Sequence, residues 1–273
     1  MTGILDGRVA VVTGAGRGIG RATAELLAAH GARVVVGDLD EAALKETVEA
    51  LGGSGVAHAG DLTDPAVPAA LVSRAIDEYG RLDIVVNNAG YTADGIFHKM
   101  TDEQLDAMLD IHLKAPFRLL RAAAPVLREA AKKDLAEGRE VFRKVVNVTS
   151  IAGTMGNVGQ ANYSSAKSAL IGLTKTLAKE WGPLLINVNA VAFGFVETRL
   201  TAVTSTVEHA GRSIQLGIPS KVREQAASRI PLGRGATPAE AAGGIFLLCT
   251  PWSNFVHGQV VTIAGGQAEG MSA

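Results

Sequence analysis

With 273 residues, 47% of them apolar and 19% charged, the chain can bury a large core and has the make-up of a globular protein. A formal net charge of −1 and an aromatic content of 4% argue against a nucleic-acid groove, a base-stacking platform or an anionic membrane surface as its partner. One cysteine, Cys249, excludes an internal disulfide framework and reads as a small core residue; with no leader pattern and no apolar run of about 18 residues, the expected compartment is the cytoplasm.

In chain order, short β-branched runs alternate with longer helical patterns. Strands are predicted at 8–14, 32–38, 55–61, 82–90, 144–150, 186–192 and 259–266. Helices are predicted at 18–30, 40–51, 65–79, 101–135, 161–181 and 238–249. Most strands are apolar throughout rather than alternating, as in strands covered on both faces. The rhythm predicts an α/β fold over 1–273, one domain with a parallel sheet and crossover helices. Residues 131–143 read as a solvated helix end and loop. The long mixed segment at about 199–230, just after a strand, is expected to be a substrate lid. His30, His58, His98, His209 and His257 show no metal-ligand spacing, so no metal site is expected.

The stretch "VVTGAGRGIGRATAELL" is a strand, a glycine turn and a helix. From Thr13 it runs T-G-x-x-x-G-x-G through Gly14, Arg17, Gly18, Ile19 and Gly20. Glycines there let the backbone turn and approach a pyrophosphate seated at the helix N-terminus. The next strand ends at Asp38, 18 residues after Gly20. A carboxylate there accepts from both ribose hydroxyls and repels a 2′-phosphate, which favours NAD over NADP. Arg17 and Arg33 are the cations that could instead meet a phosphate.

"YSSAK" puts Tyr163 and Lys167 four apart on one helix face. A free tyrosine has a pKa of about 10, and a neighbouring ammonium is expected to lower it toward a working base. Ser150, at a strand end, could polarise a carbonyl oxygen at the same sheet edge.

These residues together resemble the short-chain dehydrogenase/reductase family over nearly the whole length. Thr13-Gly14 with Gly18 and Gly20 fits the family's cofactor loop, and "NNAG" with Asn88, Ala89 and Gly90 fits its fourth-strand motif. Ser150, Tyr163 and Lys167 fit its catalytic triad, with the usual 13-residue step from Ser150 to Tyr163. "INVNAVAFGFVET" resembles the segment that holds the nicotinamide, with Val196 and Thr198 at the carboxamide, and Asp61-Leu62 matches the adenine-contacting pair. The resemblance implies a single-domain Rossmann fold with a seven-stranded parallel sheet, and commonly a homotetramer built through the fourth and fifth helices. It implies that Tyr163 is the general acid/base, that Lys167 lowers its pKa and holds the nicotinamide ribose, and that Ser150 binds the substrate oxygen. Within the family it leans toward 3-oxoacyl-(acyl-carrier-protein) reductase-like members, a steroid or cyclic alcohol dehydrogenase being the alternative. A non-catalytic dinucleotide-binding regulator would be free to lose the Tyr-Lys pair, which is present here. Lys114, Arg118, Arg121, Arg128 and Lys132 form a basic stripe on the fourth helix. A solvated or subunit-facing role for it is favoured over a dock for an acidic acyl carrier protein.

Three positions depart from the family pattern: Phe193 in place of a proline, Ala264 in place of an aspartate, and His112 in place of the usual catalytic asparagine. His112 lies in "IHLKAPF", where Pro116 should kink the helix. The resemblance gives position 112 a part in a proton relay through its main-chain carbonyl. Proline has no N–H for the carbonyl four residues back, which is that of His112. The imidazole is expected to add a group that titrates near neutral pH.

Overall fold

A computed structural model describes residues 3–201, 205–209, 212–216 and 228–267. Seven parallel strands form one sheet in the spatial order β3-β2-β1-β4-β5-β6-β9. They are β1 (Val9–Thr13), β2 (Arg33–Asp38), β3 (Gly55–Ala59), β4 (Ile84–Asn87), β5 (Arg143–Ser150), β6 (Ile186–Phe193) and β9 (Val260–Ile263). The order reverses between β1 and β4, which is where a crevice opens at the strand C-termini.

The apolar run of β1 explains why no alternation is visible. Val9 and Val11 point to one face and join Leu71, Leu119, Leu120 and Trp181. Ala10 and Val12 point to the other and join Leu27, Leu44 and Ile245. Both faces are covered by helices, so every position in the strand is core. One layer holds α1 (Gly18–Ala29), α2 (Glu41–Ala50) and α8 (Pro238–Cys249); the other holds α3 (Ala66–Tyr79), α5 (Ala115–Ala136) and α7 (Ala161–Trp181). Cys249 closes α8 inside the core, and burial pushes its thiol up to about 12.

The predicted helix 101–135 is not one kinked helix. It is α4 (Asp102–Leu109), a π-helical turn at Asp110–Lys114, and α5. Thr101 and Gln104 close a capping box at its start. Pro116 is the second residue of α5, but the π turn runs straight into α5, so the carbonyl its N–H would have reached loses a donor. In the π turn Ala115 N–H reaches back five residues to the Asp110 carbonyl. Counting on in that register, the proton Pro116 lacks is owed to Ile111; in the α register it is owed to His112. The freed acceptor therefore falls at Ile111–His112, and is not assigned to His112 alone.

Two further elements carried no visible period. The short helix α6 (Ile151–Met155) follows β5 directly, and a hairpin pairs β7 (Ser205–His209) with β8 (Arg212–Leu216). The hairpin falls inside 199–230; the rest of that expected lid lies largely outside the described residues. Among the described residues, no helix is long and apolar enough to cross a membrane.

The N-terminal edge of the sheet is tied by charges. The buried Asp83 carboxylate takes Arg8 at 3.1 Å, Arg81 at 2.7 Å and the Val9 amide at 3.0 Å. Arg143 meets Asp134 at 2.7 Å, and the buried Lys144 ammonium donates to Asn187 at 2.7 Å and Asn254 at 2.8 Å.

Candidate active site

The C-terminal edge carries the chemistry. β1 ends at Thr13, Gly14 turns the chain at φ +63°, and Gly18 opens α1 at φ +55°. A Cβ on Gly20 would lie 2.1 Å from the Gly14 carbonyl oxygen, so the packing of loop on helix requires glycine there. Arg17 holds the N-cap position of α1 without a side-chain cap, leaving the first-turn amides, Ile19 among them, facing outward at the positive end of the helix dipole. That arrangement fits the diphosphate of a dinucleotide.

Asp38 ends β2 beside this loop. Its Oδ2 accepts from the Gly16 amide at 3.0 Å and its Oδ1 from the Asp40 amide at 3.1 Å. Of the two candidate phosphate contacts, Arg33 is excluded. It starts β2 at the opposite edge and donates to the Gly53 carbonyl at 2.7 Å. Arg17 is held by Asp40 at 2.6 Å. Thr198 stands over the loop, 3.6 Å from where a Cβ on Gly18 would be, and Val196 is buried and bridges to Ala236. Leu62 is buried in the core, while the exposed Asp61 carboxylate accepts from the Thr63 amide at 2.8 Å.

The end of β4 is clamped to the glycine turn. Thr13 Oγ1 accepts from the Asn88 amide at 3.0 Å and the Ala89 amide at 3.1 Å; Asn88 Nδ2 donates to the Thr13 and Gly14 carbonyls at 2.9 and 3.1 Å. Gly90 follows, and the space its side chain would fill is taken by the ring of His112, with Cε1 2.2 Å from an added Cβ.

Ser150 ends β5 in register with Phe193 of β6, so phenylalanine in place of proline continues the strand to the site. Ser150 Oγ accepts from the Ala152 amide at 3.1 Å. Tyr163 and Lys167 lie one turn apart on α7, with Lys167 Nζ 5.6 Å from the Tyr163 ring centroid. The buried Lys167 donates to the Val148 carbonyl at 2.7 Å. Burial drives its ammonium down to about 7 and pushes the Tyr163 phenol up to about 12, with a Ser150 hydrogen bond pulling the phenol the other way. The expected lowering of Tyr163 is therefore not found: the loss of hydration outweighs the hydrogen bond from Ser150.

His112 is 2% exposed. Its Nε2 lies 2.7 Å from the Tyr91 carbonyl oxygen, and its ring meets the Tyr163 ring edge-on, centroids 5.0 Å apart. Burial and the Lys167 charge hold the imidazole well below its usual range. The sequence predicts an imidazole that titrates near neutral pH; its shift runs downward, away from neutrality.

Some site contacts had no signal in the sequence. Asp94 accepts from Gln160 Nε2 at 3.0 Å, and Asn162 Nδ2 donates to the Ala93 and Gln104 carbonyls at 3.0 Å each. These pairs tie the β4–α4 loop and the first turn of α4 to the start of α7 across 58 to 69 residues, a separation no local pattern reports. On the basic stripe, Lys114 meets Asp110 at 2.8 Å, Arg118 the Thr63 carbonyl at 2.9 Å and Lys132 Glu129 at 2.7 Å. Among the described residues no group of three or more His, Cys, Asp or Glu could hold a metal ion.

A protein-family model described as enoyl-(acyl carrier protein) reductase matches residues 14–268. The 3-oxoacyl-[acyl-carrier-protein] reductase FabG of Thermotoga maritima is 38% identical over 265 residues, which span 96% of this chain and 98% of that protein. FabG of Escherichia coli is 37% identical over 261 residues, 96% of this chain and 97% of that protein. Among solved structures, the 3-ketoacyl-(acyl-carrier-protein) reductase from Brucella melitensis complexed with NADH matches with a TM-score of 0.83 at 27% identity, covering 96% of this chain and 99% of that one.

Proposed function

Because this chain belongs to the short-chain dehydrogenase/reductase family and is an oxidoreductase, we propose that it reduces the ketone of a 3-oxoacyl thioester to a secondary alcohol with NADH. The observation that carries the reading is the convergence of Ser150 and Tyr163, joined by a hydrogen bond, with Lys167 one turn along α7, at the C-terminal edge of the sheet where the glycine turn also lies. Similarity to the reductases of T. maritima and B. melitensis supports the substrate class.

A nicotinamide bound there supplies the hydride. With a dinucleotide bound, Gly14, Arg17, Gly18, Ile19 and Gly20 would hold the diphosphate, Asp38 the adenosine ribose, and Asp61 and Leu62 the adenine side. Asn88, Ala89 and Gly90 would line the cofactor side of the crevice; Val196 and Thr198 would take the carboxamide, and Lys167 with Tyr163 would take the second ribose. NAD is favoured over NADP by the Asp38 carboxylate and by the Asp40 grip on Arg17.

Ser150 donates its hydroxyl hydrogen to the substrate oxygen and fixes its position. Tyr163 gives that oxygen its phenolic proton as the carbonyl carbon becomes tetrahedral. A phenol near 12 keeps its proton at neutral pH, so it stands in the donor form that reduction needs. Lys167 then stabilises the phenolate left behind. The carbonyl at Ile111–His112 that Pro116 leaves without a donor accepts from a water, which returns a proton to the site.

The chain works as one domain, with a lid over about 199–230, in a cytoplasmic homotetramer. Acyl carrier protein as the bearer of the substrate is the less favoured part, since Lys114, Arg118 and Lys132 of the basic stripe have partners within the chain. The test is kcat/KM for 3-oxoacyl thioesters, cyclic ketones and steroid ketones with NADH and with NADPH. Preference for a 3-oxoacyl thioester with NADH is expected; a preference for ring ketones would replace the substrate, and a preference for NADPH the cofactor.

A further inference from the structure

The segment between α5 and β5 reads in the sequence as solvated, yet it walls a cavity. Asp134, near the end of α5, accepts from Arg139 at 2.5 Å and from Arg143 at 2.7 Å, which pins the segment in place. Glu140 and Phe142 then face the chain before β1, the starts of β4 and β5, and the end of α8. Between them lies a cavity of about 170 Å³ at the N-terminal edge of the sheet, at the opposite end of β5 from Ser150.

Its wall holds a buried cation that no acid neutralises. Lys144 is 3% exposed. Its ammonium donates to the side-chain oxygens of Asn187 and Asn254 at 2.7 and 2.8 Å, and only loosely to Ser253 Oγ at 3.4 Å. These partners are neutral, and among the described residues no carboxylate pairs with it. Of the two acids on the wall, Asp83 is shared between Arg8 and Arg81, and Glu140 is exposed. Burial lowers the Lys144 ammonium to about 8, with Cys249 opposing the shift and the Arg8 charge assisting it. Ile4, Leu5 and Ile84 add apolar wall, and the Phe142 ring centroid lies 5.5 Å from Lys144 Nζ.

A buried ammonium beside an apolar space is complemented by one negative charge on an apolar body. A dianion is disfavoured, because Asp83 and Glu140 share the wall. The volume sets the size: a cavity of about 150 Å³ takes a benzene ring, so about nine heavy atoms fit here. We propose that this cavity is a second binding site, remote from the catalytic edge, for a small monocarboxylate with a compact apolar body. Its carboxylate pairs with Lys144 in the direction that Ser253 Oγ holds only at 3.4 Å, and its body lies on Phe142, Ile4 and Ile84. Bound there, it ties the chain before β1 to the start of β5 and to the segment after α5, and so acts on stability. The site is separate from the proposed reduction and does not depend on it.

Benzoate is the probe, with benzamide as its neutral isostere and inorganic phosphate as an anion without an apolar body. Each is titrated into the full chain by calorimetry. Benzoate should raise the thermal midpoint and bind at least about tenfold more tightly than either control. Its affinity should fall at least about tenfold from about pH 7 to about pH 9.5, as Lys144 loses its proton. The Cys249 thiol, held at about 12, stays neutral across that range. Lys144→Met removes the charge, and Ile4→Trp fills the space while leaving Lys144 in place; each should weaken benzoate binding at least about tenfold. Benzoate that fails to bind, that binds no better than benzamide or phosphate, or whose affinity is flat with pH overturns the proposal. So does wild-type affinity in either variant, which would put the ligand elsewhere. The comparisons on the unmutated chain decide the matter even if both variants fail to fold.

Discussion

The carboxylate of Asp38 accepts a hydrogen bond from the amide of Gly16 at 3.0 Å, so the acid at the end of the second strand is fixed to the turn after the first. Its placement comes from backbone and not from a flexible side-chain partner. Asp38→Ala is expected to lower kcat/KM with NADH by roughly 10- to 100-fold, the size of losing a charged acceptor to a ribose hydroxyl. The NADPH-to-NADH ratio should rise, and more so with Asp40→Ala added, since that change frees Arg17. Ratios unchanged from wild type would remove Asp38 as the selector.

Tyr163→Phe keeps the ring and the edge contact with His112 and removes the acid. Turnover should fall by about 10²- to 10⁴-fold while NADH still binds, as read by fluorescence titration. A variant that turns over at the wild-type rate would leave Tyr163 without a catalytic part.

Gly20→Ala places a methyl 2.1 Å from the Gly14 carbonyl oxygen, a backbone atom that cannot swing aside. Thermal unfolding should show a loss of about 1–3 kcal/mol, with weaker dinucleotide affinity. Wild-type values for both would mean that loop and helix separate at little cost.

Two buried cations fix the direction of the pH dependence of stability. Burial lowers Lys167 to about 7 and Lys144 to about 8, from 10.5 in an open chain. Above pH 7 the folded chain therefore holds fewer protons than the unfolded one, and stability rises with pH. Cys249 and Tyr163, both raised to about 12, act in the opposite sense once their unfolded counterparts ionise near 9 and 10. Urea midpoints should climb from neutrality to a maximum at roughly pH 9–10 and then fall. Lys144→Met should flatten the climb; a wild-type curve that declines from pH 7 would contradict both lysine assignments.

The sheet was legible in the sequence because a two-faced parallel strand is apolar at every position, and Val9 to Val12 need no alternation to be read. The glycine turn and the Tyr163-Lys167 spacing were legible for the same reason: each is a local pattern a few residues long. The π turn at Asp110–Lys114 was not, since proline signals a disturbance without its register. Nor was the raised phenol of Tyr163, which depends on what surrounds it in space. The pairing of Asp94 with Gln160 joins loops 66 residues apart, and side-chain identity alone does not foretell it.

The two edges of the sheet carry different duties. At the N-terminal edge, Asp83 with Arg8 and Arg81, Arg143 with Asp134, and Lys144 with Asn187 and Asn254 hold strand starts together and touch none of the proposed chemistry. Substitutions there should change how much protein a cell retains, through the folded fraction that survives quality control. Substitutions at Asp38, Ser150 or Tyr163 should change what each retained molecule does. A variant library scored separately for abundance and for activity per molecule would divide along the length of the strands, and the same fold could exchange substrates at one end while its half-life is set at the other.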